Sequence, residues 1–329
     1  MIERRALAGV AAALAAAPLA ARPAVAQEEV RNYPDRPVRI IVPYAPGGAN
    51  DILARLYGQK LSERLGQPFV VENRPGAQAI LGTEAVARSR PDGTTLLLGA
   101  SGPIVFNPAT YAQLPYDSLR DLAPISLLAS FPLVLVVAAA SPHRSITDLI
   151  AWAKENPARA NYGASGAGFQ LPTELFNQRA GTRFQYVAYR GSADSVNAAA
   201  NAEVTIALVD SGPASIAMSA GRVRALAVTS KERVPAYPDV PTMAELGFPE
   251  VEATLWSGVF APASTPRSIL DRLQSECAAI TALPDIRDRL KALAMDPVGN
   301  DQNSFRGTIE REIGIWSAVA RAAHIRLER

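Results

Sequence analysis

Hydrophobic and polar positions along this chain of 329 residues alternate between two periods. Short β-branched runs, of which VRIIV at residues 38–42 is the first, are typical of buried strands. The stretch that follows, residues 52–65, has apolar side chains three and four positions apart, which predicts a helix with one buried face. Repeated along the chain, this alternation predicts mainly parallel sheets flanked by helices.

The same pattern predicts further strands at residues 69–72, 94–98, 121–129, 133–140, 184–188, 204–209, 224–229 and 252–260. It predicts helices at residues 78–89, 145–156, 173–180, 193–202, 214–220, 266–283, 285–294 and 302–323. These units are too many for one open sheet and lack the regularity of an eightfold barrel, so we expect two α/β lobes. Proline-bearing extended passages near 129–133 and 252–262 are the expected crossovers. They place lobe 1 at residues 33–128 and 256–329, and lobe 2 at residues 129–255.

Residues 1–26 have the composition of an export signal. Arg4 and Arg5 form a positive n-region, and residues 6–21 are rich in alanine and leucine. The small residues that end at Ala26 form a cleavage site, so we expect the mature chain to begin after Ala26. Both the Sec and the twin-arginine export routes remain open.

Charge and residue counts exclude several functional classes. Three of the 33 Lys+Arg and one of the 31 Asp+Glu lie in residues 1–26, which leaves 30 of each and no basic tract. We therefore expect no nucleic acid and no anionic membrane as a partner. Cys277 is the only cysteine and is expected to be buried in a helix, while His143 and His324 are the only histidines. An internal disulfide is therefore impossible, and we expect no metal, no cofactor and no catalytic residue.

The connection between the first strand and the first helix, residues 44–51 (YAPGGAND), is a candidate anion site. Gly47 and Gly48 allow backbone N–H groups to turn toward a ligand, and a helix N-terminus adds partial positive charge. Asn50 or Asp51 would cap the helix. A carboxylate or phosphate fits such a loop, although a plain strand–turn–helix connection also needs small residues.

The tetrapeptide Gly-Ala-Ser-Gly occurs at residues 99–102 and again at residues 163–166, once in each expected lobe. Both copies follow a predicted strand, and ligands of open α/β sheets bind beyond the carboxyl ends of strands. The hydroxyls of Ser101 and Ser165 are therefore candidate ligand donors, with an ordinary turn residue as the alternative for each. Two such loops facing each other across a cleft would suit a small dianion.

Several blocks of the chain resemble one family. YPDRPVRIIVPYAPGGANDILARL, VVENRPGA, PDGTTLLLG, NYG, RALAVTS and PDVPTMAELG occur in the order found in the solute receptors of tripartite tricarboxylate transporters, also called the Bug family. The resemblance spans residues 33–316. It implies a two-lobed periplasmic-binding-protein fold of the Venus-flytrap type II. It also implies a monomer in the periplasm that captures a small carboxylate, such as a di- or tricarboxylate or an aromatic or amino acid, and delivers it to membrane permease subunits.

The resemblance also implies where the ligand binds. The first loop would hold one carboxylate through backbone N–H groups, and the loop after residues 161–163 would hold the other. Asp51 would orient these donors or pair with an ammonium group, and Asp210 would line the cleft or form a hydrogen bond between the lobes. The expected ligand-binding residues are Tyr44, Ala45, Pro46, Gly47, Gly48, Ala49, Asn50, Asp51, Ser101, Ala164, Ser165, Gly166, Phe169 and Asp210.

Two departures from the family pattern concern specificity. The second-lobe loop is shorter than in many members, and Phe169-Gln170 stand where those members have a histidine. We expect ligand preference to depend on this loop. Arg190 replaces a common lysine and keeps its charge with a different donor geometry.

Two other functions stay open at this point. One is a ligand-dependent periplasmic sensor that uses the same cleft, and the other is a hydrolase with Ser101 or Ser165 as nucleophile. Scarcity of histidine disfavours the hydrolase. Trp256 is expected to lie in the core.

Overall fold

The computed structural model describes residues 33–322, so the expected leader at residues 1–26 lies outside the described residues. The strands are β1 (Val38–Val42), β2 (Phe69–Asn73), β3 (Thr95–Ala100), β4 (Leu122–Ala138), β5 (Asn161–Ala164), β6 (Gln185–Ala188), β7 (Ile206–Asp210), β8 (Val223–Val228), β9 (Thr254–Pro262) and β10 (Asp296–Pro297). The helices are α1 (Ala49–Leu65), α2 (Ile80–Ala87), α3 (Asn107–Thr110), α4 (Ile146–Glu155), α5 (Ala167–Ala180), α6 (Ser192–Ala200), α7 (Ser211–Ser219), α8 (Arg267–Thr281), α9 (Pro284–Ala292) and α10 (Gln302–Ala322). A π-helical turn, Gly102–Phe106, precedes α3. No helix between residues 33 and 322 is both long and apolar enough to cross a membrane.

Within the described residues the strands follow the order β2-β1-β3-β9-β4-β7-β5-β6, and β8 and β10 also pair with β4. Strands β1, β2 and β3 are parallel, and so are β5, β6 and β7. Strands β4 and β9 lie between these sets and run antiparallel to their neighbours. We call the part built on β1–β3 and β9 the first half, and the part built on β5–β8 the second half. The arrangement agrees with the expected two-lobed α/β fold, with antiparallel strands joining two parallel units.

Strand β4 is continuous where the sequence pattern predicts two separate runs. It pairs with β9 as far as Pro132 and with β7 from Leu133 onward. Proline cannot donate a backbone hydrogen bond, which is why Pro132 favours a break in the strand. The prediction of two runs is wrong because the missing N–H group falls at the position where β4 exchanges one partner strand for another.

Separate hydrophobic cores lie in the two halves. A cluster in the first half includes Leu97, Phe260 and Phe305, all fully buried. A cluster in the second half includes Val134 and Val209 from the paired strands β4 and β7. Each half therefore has an apolar cluster of its own, although Ala294, which follows α9, also packs in the second cluster.

The helix predicted at residues 145–156 and the predicted burial of Cys277 and Trp256 are confirmed. Ser145 is the N-cap of α4, and its Oγ accepts a hydrogen bond from Asp148 N at 3.1 Å. Cys277 is fully buried. Trp256 is also buried, and its indole N–H donates to Glu312 Oε2 at 2.8 Å.

Two helices begin earlier than the pattern predicts. Helix α5 starts at residue 167 instead of 173, and α7 starts at residue 211 instead of 214. Their first turns contain small or polar residues and at most one large apolar side chain, so no apolar periodicity marks a helix there. The turn that precedes α5 is consequently much shorter than expected.

Candidate functional site

The first loop meets helix α1 at Gly48, which occupies the N-cap position without a side-chain hydrogen bond. The helix begins at Ala49, so Asn50 and Asp51 lie in its first turn and are not the N-cap that the sequence predicts. The loop backbone is instead bound by Asp51, in the first turn of the helix, which accepts a hydrogen bond from Gly47 N.

Asp51 organises the first loop from within the first half. Its Oδ2 accepts hydrogen bonds from Gly47 N and Arg55 Nε, both at 3.0 Å, and its Oδ1 accepts one from Asn73 Nδ2 at 2.9 Å. Asn73 also donates to the carbonyl oxygen of Tyr44 at 3.1 Å. Burial raises the pKa of Asp51, but hydrogen bonds from Arg55, Gly47 and Asn73 outweigh it and hold that pKa below its usual value. The carboxylate thus stays ionised and serves to orient the loop.

Two other side chains fix the first loop to its surroundings. Asn50 Oδ1 accepts a hydrogen bond from Ser257 Oγ of β9 at 2.8 Å, and both side chains are buried. The Tyr44 ring is buried, and a Cβ added to Gly102 would lie 2.6 Å from the Tyr44 hydroxyl oxygen. Burial raises the pKa of Tyr44, so its phenol remains neutral. The first loop is therefore held close to the start of the π-helical turn.

The first loop also packs against the second half. Ala45 N donates to the carbonyl oxygen of Arg190 at 3.4 Å, and a Cβ added to Gly191 would lie 3.1 Å from Ala45 Cβ. Gly47 has φ +88° and approaches Ala193 so closely that an added Cβ would be 3.2 Å from the Ala193 Cβ. The small residues permit this close approach between the halves.

Asp210 provides a second connection between the halves. It ends β7 and is 2% exposed, and its Oδ1 accepts a hydrogen bond from Ala49 N at 3.2 Å. Burial raises the pKa of Asp210 to about 6, against the lowering effect of the Ser192 hydroxyl and of the hydrogen bond from Ala49 N. Of the two roles that the sequence left open for Asp210, the hydrogen bond between the halves is present in the structure.

The second loop lies at the end of β5, which closes at Ala164. Gly166 is the N-cap of α5 with φ +154°, a backbone conformation that favours glycine. Phe169 N donates to the carbonyl oxygen of Gly166 at 3.0 Å, which places Phe169 in the first helical turn and not in an open loop. The Phe169 side chain is 6% exposed. Pro172 lies inside this helix, although the pattern predicts that the helix starts after it.

Two of the expected ligand-binding residues have buried hydroxyls without any partner. Ser101 is fully buried and Ser165 is 6% exposed, and neither Oγ forms a hydrogen bond. A buried polar atom without a partner is costly, so such atoms suggest a missing group. Gly48 and Gly166 are also buried, yet a Cβ added to either would have no atom within 4 Å. The two loops thus border space that the protein itself leaves unfilled.

Two of the expected ligand-binding residues and Arg190 are exposed, and His143 contacts a tryptophan ring. Pro46, Gly47 and Arg190 are exposed. His143 is in ring contact with Trp152, with centroids 4.9 Å apart, and is not a partner of either serine. Within the described residues, no hydrogen bond joins the hydroxyl of Ser101 or Ser165 to a basic side chain.

The segment at residues 77–79, which follows β2, has an unusual backbone conformation. Ala77, Gln78 and Ala79 all have positive φ, which is rare for residues other than glycine. The Gln78 carbonyl oxygen accepts a hydrogen bond from Asn107 Nδ2 at 3.0 Å, and the Gln78 Oε1 is buried without a partner.

Comparison with known proteins places these features in context. The chain matches the model of the tripartite tricarboxylate transporter family receptor over residues 53–324. A protein encoded in the tcbD-tcbE intergenic region of Pseudomonas sp. (strain P51) is 39% identical over 321 residues, which cover 96% of this chain and 93% of that protein. The structure of R. palustris Rpa4515 with adipate is 33% identical, with a TM-score of 0.86, and the match covers 90% of this chain and 100% of that one. MatC from Rhodopseudomonas palustris with bound malate is 28% identical, with a TM-score of 0.83, and the match covers 87% of this chain and 99% of that one.

Proposed function

The chain belongs to the tripartite tricarboxylate transporter receptor family, a family of periplasmic solute receptors, and we propose that it captures a small carboxylate for such a transporter. The loops at Gly48 and Ser101 in the first lobe and at Ser165 in the second lobe form the proposed site. The membrane permease subunits of the transporter are the proposed recipients of the ligand. Adipate and malate, which are bound in two structural neighbours, are the first probes for this chain.

The observation that carries this proposal is the pair of buried, unpartnered serine hydroxyls. Ser101 follows β3 in one lobe and Ser165 follows β5 in the other, and each lies at the start of a helical segment. A carboxylate accepts hydrogen bonds from hydroxyls and from backbone N–H groups at helix N-termini. A ligand that accepts from both serines would satisfy both orphaned groups and connect the two lobes.

Closure of two lobes on the ligand is part of the proposal. We assign residues 33–128 and 256–329 to lobe 1, and residues 129–255 to lobe 2. The exchange of β4 partners between Pro132 and Leu133 and the two separate cores support this division. A ligand favours closure only when its contacts differ between the open and closed forms, as contacts to both lobes do.

Calorimetry and thermal-shift measurements with adipate, malate and a wider set of mono-, di- and tricarboxylates test the proposal. We expect one carboxylate class to raise the melting temperature by mass action. Absence of a shift with every carboxylate, under conditions where the protein is folded, would overturn the proposed function.

Serine-to-alanine variants test the site itself. Ser101→Ala and Ser165→Ala should each weaken binding by about tenfold or more, the effect of one lost hydrogen bond to a charged group. Neither should lower stability, because each removes a buried hydroxyl that has no partner in the free protein. Ser118→Ala is the matched control, since Ser118 is another buried serine with an unpartnered hydroxyl, outside the proposed site. Unchanged binding by both site variants would refute the assignment of these two residues.

A further inference from the structure

Asp210 belongs to the second lobe, but its carboxylate bonds to a backbone group of the first. The acceptor Oδ1 and the donor Ala49 N are 3.2 Å apart, and the residues are separated by 161 positions in sequence. Ala49 is fully buried and is the first residue of α1, so its N–H has no acceptor within the helix. The carboxylate supplies that acceptor at the positive end of the helix dipole.

We propose that Asp210 is a positioning residue that latches the closed form by accepting the Ala49 N–H hydrogen bond across the two lobes. The residue acts through the first loop and not by contact with the ligand. The inference rests on the proposed receptor function only in treating the two lobes as parts that open and close. In this arrangement the Ala49 N–H at the start of α1 donates to Asp210 and is not available to an anionic ligand.

Other contacts at the same place fit a latch. Ala45 N donates to the Arg190 carbonyl oxygen, and Gly47 and Gly191 each come close to an alanine of the opposite lobe. These contacts involve small residues and backbone atoms, and none of them is a side-chain hydrogen bond. Within residues 33–322, Asp210 provides the one charged side chain in the hydrogen bonds between this loop and the second lobe.

Among the described residues, the groups that affect the pKa of the Asp210 carboxylate include no cationic side chain. Tyr44 from the first loop and Tyr237 from the second lobe are the titratable groups whose pKa values are raised in part by Asp210, and both are neutral phenols. The hydroxyl group of Ser192, at the start of α6, lowers the pKa of Asp210. An oxygen acceptor, and not a salt bridge, is therefore what this position provides.

Hydrogen exchange in the ligand-free protein tests the latch without knowledge of the ligand. The variants are Asp210→Ala, which removes the acceptor, Asp210→Asn, which keeps an oxygen in the same place, and Ala49→Pro, which removes the donor. Proline is well tolerated at the first position of a helix. Gly48 before it has φ −80° and ψ 173°, which suits a residue that precedes proline.

We expect Asp210→Ala to speed exchange in peptides covering residues 45–52 and 190–195 by about tenfold, through more frequent opening. Asp210→Asn should retain the protection of the wild type. Ala49→Pro should speed exchange like Asp210→Ala, and the double variant should be no faster than either single one. Asp301→Ala is the matched control, because that carboxylate accepts from Asn303 N and Ser304 N at the start of α10 and should affect exchange only there.

Three results would overturn the latch. One is wild-type exchange at both peptides in Asp210→Ala, and another is additive effects in the double variant. The third is exchange in Asp210→Asn as fast as in Asp210→Ala, which would show that the oxygen acceptor is not the feature that matters. If Asp210→Ala does not fold, Ala49→Pro and Asp210→Asn decide between the same alternatives. Failure of all carboxylates to bind would overturn the proposed function and leave this test intact.

Discussion

Gly48→Val separates the binding role of the first loop from its folding role. Gly48 has an extended backbone, φ −80° and ψ 173°, which any residue adopts without strain. A Cβ at this position meets no atom within 4 Å, so the valine side chain would enter unfilled space. The substitution therefore adds three carbon atoms where the proposed ligand carboxylate lies, and the first of them meets no protein atom within 4 Å.

Two small and opposing effects determine the stability of this variant. Replacing glycine reduces the freedom of the unfolded chain and stabilises the protein by about 0.4–1 kcal/mol. Valine is a poorer N-cap than glycine, which costs on the order of 0.5–1 kcal/mol. The free energy of unfolding should thus change by less than about 1 kcal/mol. Loss of one hydrogen bond to a charged ligand group costs about 1.5–3 kcal/mol, which corresponds to binding that is weaker by about 10- to 150-fold.

Urea unfolding and calorimetric titration with the carboxylate that binds the wild type measure both quantities. Gly47→Val is the informative contrast, because Gly47 has φ +88° and an added Cβ would lie 3.2 Å from Ala193 Cβ. We expect that variant to lose stability as well as binding. A stable Gly48→Val protein that binds with wild-type affinity would refute the assignment of the first loop to the ligand.

Three further predictions concern the hydrogen bonds of Thr229, the pH dependence of stability and the ligand specificity. Thr229→Val should lower the free energy of unfolding, measured in urea, by about 2–5 kcal/mol. The reason is that the buried Thr229 Oγ1 accepts a hydrogen bond from Leu133 N at 2.9 Å and donates one to the Ala253 carbonyl oxygen at 2.6 Å. Thr265→Val changes a buried hydroxyl without a partner and should cause no such loss, so equal losses in the two variants would contradict the reasoning. Since the pKa of Asp210 is raised to about 6, its contribution to stability is present below pH 4 and is lost as the pH rises through 6. Asp210→Asn should therefore gain about 3 kcal/mol relative to the wild type between pH 4 and pH 7.5, and a constant difference in unfolding free energy would be inconsistent with that shift. Gln170→Ala, at a half-buried position in the first turn of α5, should change the ranking of carboxylates in a thermal-shift screen with little change in stability, and an unchanged ranking would count against a specificity role.

Local patterns in the sequence predict much of the fold. Strand β1 at Val38–Val42 and the capped helix α4 need only the character of consecutive side chains, because period and capping are properties of short segments. The Gly-Ala-Ser-Gly repeat likewise marked Ser101 and Ser165, since loops at the carboxyl ends of parallel strands converge whatever the rest of the chain does. Their lack of hydrogen-bond partners became visible only in the structure.

Positions that depend on distant partners could not be assigned in this way. Pro132 looks like a break in a strand because nothing local reveals that β4 changes partners there. Helix α5 begins six residues early because Pro172, which locally resembles a helix start, lies inside the helix. The same holds for Asp51, which resembles a cap in the sequence but is bound by Asn73 from the next strand.

The sequence by itself determined the alternation of strands and helices, the two-lobed α/β class, the family and the loops that we propose as the site. Only the tertiary structure decided how the side chains of those loops are used. Asp51 orients the first loop, and Asp210 reaches Ala49 across 161 positions of sequence. The physical reason is that periodicity and turn preference act between neighbours along the chain. A buried donor and its acceptor, in contrast, are matched by whichever segments the completed fold brings together.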